Sequence, residues 1–405
     1  MRHYAVLTIS VSALFLLFVG AFLNTRSLFY MSTVLIVTLL VLRGQAWLAT
    51  RGLEFERIAP TVMLAGERVA MRIRVRSLLN IRRPLLFVLD ELPPSLAHDA
   101  DIRPLPVAPS YEQAVETRYE LNPLKRGVYK WSDILVQSFD SLGLIRIDKV
   151  YSAEPFQITI HPAKIPLSLD LSALGGWGTS QSEEGRSRGH GIEPRGVREF
   201  GEGDSLRHVH WRTTARMGTL QVKEFETGFY ANLAILLQLT SGTAAGSGTA
   251  TTLEAMCGHA AYISDVMLQR GSAIVLPNLE RGEVAPAHSA GMRFRQVCDA
   301  LASAQADRPG RFADEIIAAD ASLPAGTTVL VMLSAAEGGV AAELRKLVTR
   351  CSVLVLVYNP EQYSGSKSVG SFYPATDPDF LASISAPNIS IKLVPNPYGS
   401  QDKRR

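Results

Sequence analysis

Residues 4–23 run for twenty positions without a charged side chain. As a helix rising about 1.5 Å per residue, such a run spans the roughly 30 Å hydrocarbon core of a bilayer. A second apolar run, residues 28–42, reaches that length only if Arg43 snorkels and residues 45–48 lie at the interface. A cleaved signal peptide, with Arg2 as its basic region and Val19-Gly20-Ala21 as cleavage site, is the competing reading. It is disfavoured because a further apolar run follows at once. Arg2 precedes the first run, Arg26 lies alone between the two, and Arg43, Arg51 and Arg57 follow the second. That asymmetry predicts a transmembrane helical hairpin with both ends cytoplasmic. The expected location is therefore the inner (plasma) membrane, multi-pass, with the bulk of the chain in the cytoplasm.

The remaining chain folds. With 405 residues, 47% of them hydrophobic and 20% charged, it can bury sizeable cores and is neither disordered nor fibrous. Its 41 basic and 38 acidic residues nearly balance, which gives no electrostatic case for nucleic-acid binding. Cys257, Cys298 and Cys351 are odd in number and far apart, so neither a disulfide framework nor a zinc spacing is present, and a reducing compartment fits.

From residue 51 to 165 the pattern turns to period two. Met71, Ile73 and Val75 alternate with Arg72, Arg74 and Arg76, placing apolar and basic side chains on opposite faces of a strand. Further strand-like runs at residues 85–89, 115–121, 128–136 and 156–160, separated by turn residues, predict a β-sandwich of immunoglobulin-like type. The three arginines either touch anionic lipid below the anchor or line a solvated face, and nearby Glu54, Glu56 and Glu67 favour the latter.

Residues 166–195 are rich in glycine and serine and read as a linker. Then comes a dense stretch, residues 196–230, with Arg198, Glu199, Gly203, Asp204, Arg207, Trp211, Ala215, Arg216, Gly218, Leu220, Val222, Lys223 and Glu224 in order. This stretch resembles the signature of the domain of unknown function 58 family: Arg-Glu-Tyr, Gly-Asp, Arg, Ile-Asp-Trp-Lys, Ala-Arg, Gly-Leu and Val-Lys-Glu. Phe200 stands for the usual Tyr, Arg212 for the usual Lys and, as the main departure, His210 for the usual Asp. The resemblance covers nearly the whole chain, with Arg126-Gly127-Val128-Tyr129 and Asp140-Ser141-Leu142-Gly143-Leu144 as its middle elements. It implies a von Willebrand factor A-like C-terminal domain. As partners it implies a MoxR-type AAA+ ATPase and, in some members, a transglutaminase-like membrane protein.

Read physically, Asp204 after Gly203 suits a turn or helix cap. Arg198, Arg207 and Arg216 can pair with Glu199, Asp204, Glu224 or Glu226, either as an internal clamp or as part of a partner surface. An enzymatic alternative is a metal-dependent or hydrolytic module using Asp204, His208 and His210. Against it, the chain contains no His-Glu-x-x-His, no Gly-x-Ser-x-Gly and no phosphate-loop motif.

Residues 231–360 alternate strand and helix patterns, which predicts a parallel sheet covered on both faces, with ligands beyond the carboxyl ends of strands. In a von Willebrand factor A-like domain that position carries Asp-x-Ser-x-Ser. Here it reads Gln238, Leu239, Thr240, Ser241, Gly242, and the later Ser-Asp pair reads Ser334, Ala335. Without those carboxylates no metal is expected, and no cofactor. The loop 241–252 reads as a flexible connector, His259 as a packed or surface histidine, and residues 361–405, with five prolines and a basic end, as a partly irregular tail. The expectation is a non-enzymatic membrane-anchored adaptor that presents residues 198–226 to a protein partner.

Overall fold

The computed structural model describes residues 2–81, 83–97, 103–168, 194–199, 209–225, 233–280, 287, 289–364 and 371–399, with the backbone alone at 2–5, 194–199, 223–225 and 364. The chain divides into two units, Met1–His161 and Pro162–Arg405.

The first unit begins with helices α1 (Arg2–Leu23) and α2 (Arg26–Ala49), both long and apolar enough to cross a membrane. They pair through a buried Ser32, whose hydroxyl donates to Ala13 O at 2.8 Å. Only 11% of each spanning window is buried. The rest of the apolar surface has no protein to cover it, unlike that of a core helix.

Eight strands follow: β1 (Leu53–Ile58), β2 (Val62–Leu64), β3 (Val69–Ser77), β4 (Leu86–Asp90), β5 (Leu105–Val107), β6 (Val115–Leu121), β7 (Gly127–Phe139) and β8 (Arg146–His161). They make an antiparallel sheet in the order β1-β3-β6 and a mixed sheet in the order β2-β8-β7-β4-β5. Both contribute to one core. The alternation expected of residues 71–76 is present: Met71, Ile73 and Val75 are buried while Arg72, Arg74 and Arg76 are not. On the outer face Arg74 bridges Glu56 on β1 at 2.9 Å and Glu116 on β6 at 2.8 Å. Arg74 therefore lies in a cross-strand ladder of opposite charge.

The same alternation drives two charges inward. Leu53, Phe55 and Arg57 share one face of β1, and Leu86, Val88 and Asp90 share one face of β4. Arg57 and Asp90 thus meet at 2.9 Å with almost no exposure. The Asp90 carboxylate also accepts from Tyr119 Oη at 2.8 Å and Trp131 Nε1 at 3.0 Å, and Arg57 donates to the carbonyls of Ser132 and Asp133. Burial beside Asp90 pushes the Tyr119 hydroxyl well above its ordinary pKa, so it stays a donor. Every charged atom is answered, which such a pair needs if it is not to destabilise the fold. The network draws residues from both sheets and fixes their alignment.

The second unit begins with residues packed on its own core. Leu167 is buried, Ile165 N donates to Gly258 O at 3.1 Å, and Lys164 pairs with Asp265 at 2.6 Å. Next come β9 (Pro194–Glu199), α3 (Trp211–Met217) and β10 (Gln221–Phe225). The α/β part comprises β11 (Leu233–Leu237), α4 (Thr252–Gln269), β12 (Ile274–Val275), α5 (Ala290–Ala302), α6 (Phe312–Ser322), β13 (Thr328–Leu333), α7 (Val340–Leu347), β14 (Ser352–Tyr358), α8 (Pro378–Ile384) and β15 (Ile389–Val394). Its sheet is parallel throughout, in the order β12-β11-β13-β14-β15.

Successive residues of β11 feed opposite cores. Leu233, Ile235 and Leu237 pack with α4 and α5, and Ala234 and Leu236 with α6 and α7. This is why the strand reads as an unbroken apolar run. Residues 361–405, expected as a tail, instead supply α8 and the edge strand β15, which pairs with β14 over Val353↔Ile389 to Tyr358↔Val394. The five prolines concealed this, yet all lie outside β15, an edge strand buried only at Ile389 and Val394. The loop 241–252, expected to be flexible, is pinned: Ser334 Oγ donates to Thr243 O at 2.7 Å, and Ala245 N donates to Thr252 Oγ1 at 3.0 Å.

His259, on α4, is buried with Nδ1 2.9 Å from Tyr358 Oη at the end of β14. Burial lowers its pKa to about 4. The unfolded imidazole takes its proton near 6.5, so stability is lost as pH falls from about 6.5 to 4, by about 3 kcal/mol in total. Guanidinium unfolding of the native chain should show that slope, and His259→Asn should flatten it.

Candidate functional site

The signature segment forms a two-stranded ribbon with a short helix laid back on it. β9 and β10 are antiparallel, with Glu199 opposite Gln221, Arg198 opposite Val222, Val197 opposite Lys223 and Gly196 opposite Glu224. Val209 bridges to Val222, and His210 N donates to Gln221 O at 2.7 Å. Thr214 Oγ1 accepts from Gln221 N at 3.0 Å. These bonds tie the N-terminal end and the middle of the helix to β10.

His210 is the N-cap of α3. Its Nδ1 accepts from Thr213 N at 3.3 Å and contacts Thr213 Oγ1 at 2.7 Å. A capping aspartate would offer a carboxylate oxygen to the same amide, so the departure from the family pattern keeps the structural task. The helix ends at Gly218, whose φ of +74° lies in the left-handed region and whose N donates to Thr214 O. A residue with a Cβ would be strained there.

The outward surface of this element is unusual. Trp211 is 66% exposed and Met217 64%, Leu220 is also exposed, and Arg212 and Arg216 stand four residues apart beside them. None of the α3 residues is buried. The helix is thus held in place without its largest apolar side chains being used for packing. Gly203, Asp204, Arg207 and His208 lie outside the described residues, as do the side chains of Arg198, Glu199, Lys223 and Glu224. The proposed clamp among those charges is therefore not described.

At the carboxyl ends of β11 and β13 the structure gathers Gln238, Thr240, Ser334 and Ala335. This is where the strand order reverses, the ordinary ligand position in such sheets. Gln238 Oε1 accepts from Ser334 N and Ala335 N, both at 3.0 Å. Its Nε2 donates to Ala335 O at 3.1 Å and to Glu337 Oε2 at 3.2 Å. Thr240 Oγ1 donates to the same oxygen at 3.1 Å, and Phe312 N, opening α6, donates to Glu337 Oε1 at 2.6 Å. Gly242 adopts a left-handed turn beyond Thr240.

Glu337 is the residue that sequence reasoning missed. It is buried and accepts three hydrogen bonds from neutral donors. A lone carboxylate four residues beyond an apolar strand, followed by Gly338 and Gly339, was the available signal. Next to this knot, Asn278 Nδ2 donates to Leu237 O and to Glu315 Oε2, each at 2.7 Å, and Arg308 pairs with Glu315 at 3.1 Å. Among the described residues no three of His, Cys, Asp and Glu are grouped to hold a metal ion.

The fold and the signature ribbon define a chain with two N-terminal apolar helices, a β-rich unit and an α/β unit with a parallel sheet. Residues 196–364 match the family described as "Protein of unknown function DUF58". The chain is also 25% identical over 257 residues to the uncharacterized protein YeaD of Bacillus subtilis (strain 168), spanning 61% of each protein. A solved structure, the CARDB domain of the PF1109 protein from Pyrococcus furiosus in complex with di-metal ions, is 13% identical and covers 27% of this chain and 91% of that one at a TM-score of 0.18. That likeness bears on neither fold nor function.

If His210 is a cap, His210→Ala should cost about 1 kcal/mol of local helix stability and His210→Asp should restore it. Hydrogen exchange at Thr213 N and Thr214 N checks this, with protection falling about fivefold in the alanine variant alone.

Proposed function

We propose that this protein is a non-enzymatic, membrane-anchored adaptor whose signature helix is a contact surface for a protein partner. The carrying observation is α3 itself: a seven-residue helix fastened to β10 at its N-cap and its middle, with Trp211, Met217 and, just beyond it, Leu220 exposed beside Arg212 and Arg216. Exposed tryptophan and arginine are the side chains that dominate interface energies, and each charged rim favours an acidic counterpart. The partner we name is a MoxR-type AAA+ ATPase, with a transglutaminase-like membrane protein as a further candidate, as the family resemblance implies.

The finer architecture belongs to the same reading. We take the first unit as an immunoglobulin-like sandwich, because two sheets share one core. We take the α/β unit as a von Willebrand factor A-like domain whose cation site is degenerate. In support, Gln238 stands where an aspartate would, and the nearby carboxylate of Glu337 is engaged by three neutral donors. The hairpin anchors the chain in the inner membrane with its bulk cytoplasmic, an orientation supported by Arg43, Arg51 and Arg57 following the second helix.

The test is co-purification of the full-length chain from its native membrane, compared with a Trp211→Ala, Arg216→Ala double variant. Both side chains are exposed, so folding should be unaffected. An AAA+ ATPase recovered with the native chain and reduced more than tenfold with the variant is the expected result. Equal recovery with both would overturn the assignment of the surface.

A further inference from the structure

The turn between β7 and β8 lies against the second apolar helix well before that helix ends. Ser141 Oγ, in the turn, donates to Gln45 Oε1 at 3.2 Å. Gln45 precedes the end of α2 at Ala49 by four residues, about 6 Å along the axis. A helix that enters hydrocarbon at Leu28 needs about 20 residues to cross a core of roughly 30 Å, which brings Trp47 to the far boundary. A loop touching Gln45 therefore sits at headgroup depth or slightly below it.

The residue at the tip of that turn is apolar and uncovered. Leu142 is 63% exposed, although the turn around it is hydrogen-bonded to a buried carboxylate. The buried Asp140 accepts from Ile145 N at 2.7 Å and from Leu142 N at 3.2 Å, and Gly143 takes the left-handed φ of +68° that closes the loop. A turn stiffened in this way holds its leucine outward. Around the exit of α2 stand an exposed Trp47 with the Arg51 guanidinium 4.4 Å from its ring centre, and Lys149 with Nζ 4.2 Å from the Tyr151 ring centre. Lys149 and Tyr151 both reach Thr50 O, just past the end of α2. Aromatic rings and cations about one and a half helical turns outward of an apolar tip match the boundary of an anionic leaflet, where each nearby cation gains about 1 kcal/mol.

We propose that the Asp140–Leu144 turn is a membrane wedge: Leu142 enters the headgroup boundary of the leaflet from which α2 emerges, and Arg51 and Lys149 meet its anionic phosphates. The wedge gives the β-rich unit a second attachment beside its covalent one, so that it rests on the leaflet. This inference rests on the membrane reading of the helical hairpin.

Leu142→Cys in the full-length chain, labelled with an environment-sensitive fluorophore, tests it. The three native cysteines are buried, so labelling under native conditions is selective. The chain is reconstituted into phosphatidylcholine–phosphatidylglycerol vesicles that carry nitroxide lipids at headgroup or mid-chain depth. Labels at Arg118→Cys, on the outer face of β6, and Val37→Cys, in the middle of α2, are the references. The expected result is at least twofold quenching at position 142 by the headgroup nitroxide, none at 118, and quenching at 37 by the mid-chain nitroxide. Quenching at 37 with none at 142 would overturn the wedge while leaving the hairpin in the membrane. No quenching at 37 would overturn the membrane reading and the wedge with it.

Discussion

The buried carboxylate of Glu337 is the tie on which the carboxyl-end face of the parallel sheet depends. It joins the residues after β11, through Gln238 and Thr240, to the start of α6, through Phe312 N. Gln238 completes the knot by receiving the amides of Ser334 and Ala335. An unpaired carboxylate at that depth would cost several kcal/mol, whereas one holding three donors is tolerated. The consequence is geometric. The crevice at the reversal of strand order, where a parallel sheet ordinarily receives its ligand, is filled by the protein's own polar groups.

The β-rich unit solves a similar problem with opposite charges. Alternation along β1 and β4 sends Arg57 and Asp90 into the core along with their apolar neighbours, so the pair must be answered in full by Tyr119, Trp131 and backbone carbonyls. Both units thus spend buried polar residues on fixing geometry. Both also leave apolar side chains uncovered at defined places: Trp211 and Met217 on the signature helix, Leu142 on the turn beside α2. Rigid support beneath an exposed apolar tip is the arrangement expected of recognition surfaces.

How far the sequence reaches follows from the range of each signal. Period-two alternation at residues 71–76 is local, and β3 emerged where it predicted. The unbroken apolar run of β11 was equally legible, as was the alternation of strands and helices around it. The signature stretch was readable because its glycines, tryptophan and charges are contiguous. Glu337 was not, because its partners lie 25 to 99 residues away in sequence and nothing near it announces them. The edge strand β15 escaped for a similar reason: its partner is β14, and the prolines around it suggested a tail. His210 looked like a lost acid or a candidate ligand, and only the position of Thr213 N reveals it as a cap.

The central claim is that the signature helix faces another protein and is not folded against its own chain. A photo-crosslinking amino acid in place of Trp211, activated in native membranes, tests this most directly. The account predicts an adduct between this chain and a second protein, identified by mass spectrometry as an AAA+ ATPase. Adducts confined to peptides of the same chain would contradict it and make the segment an internal clamp.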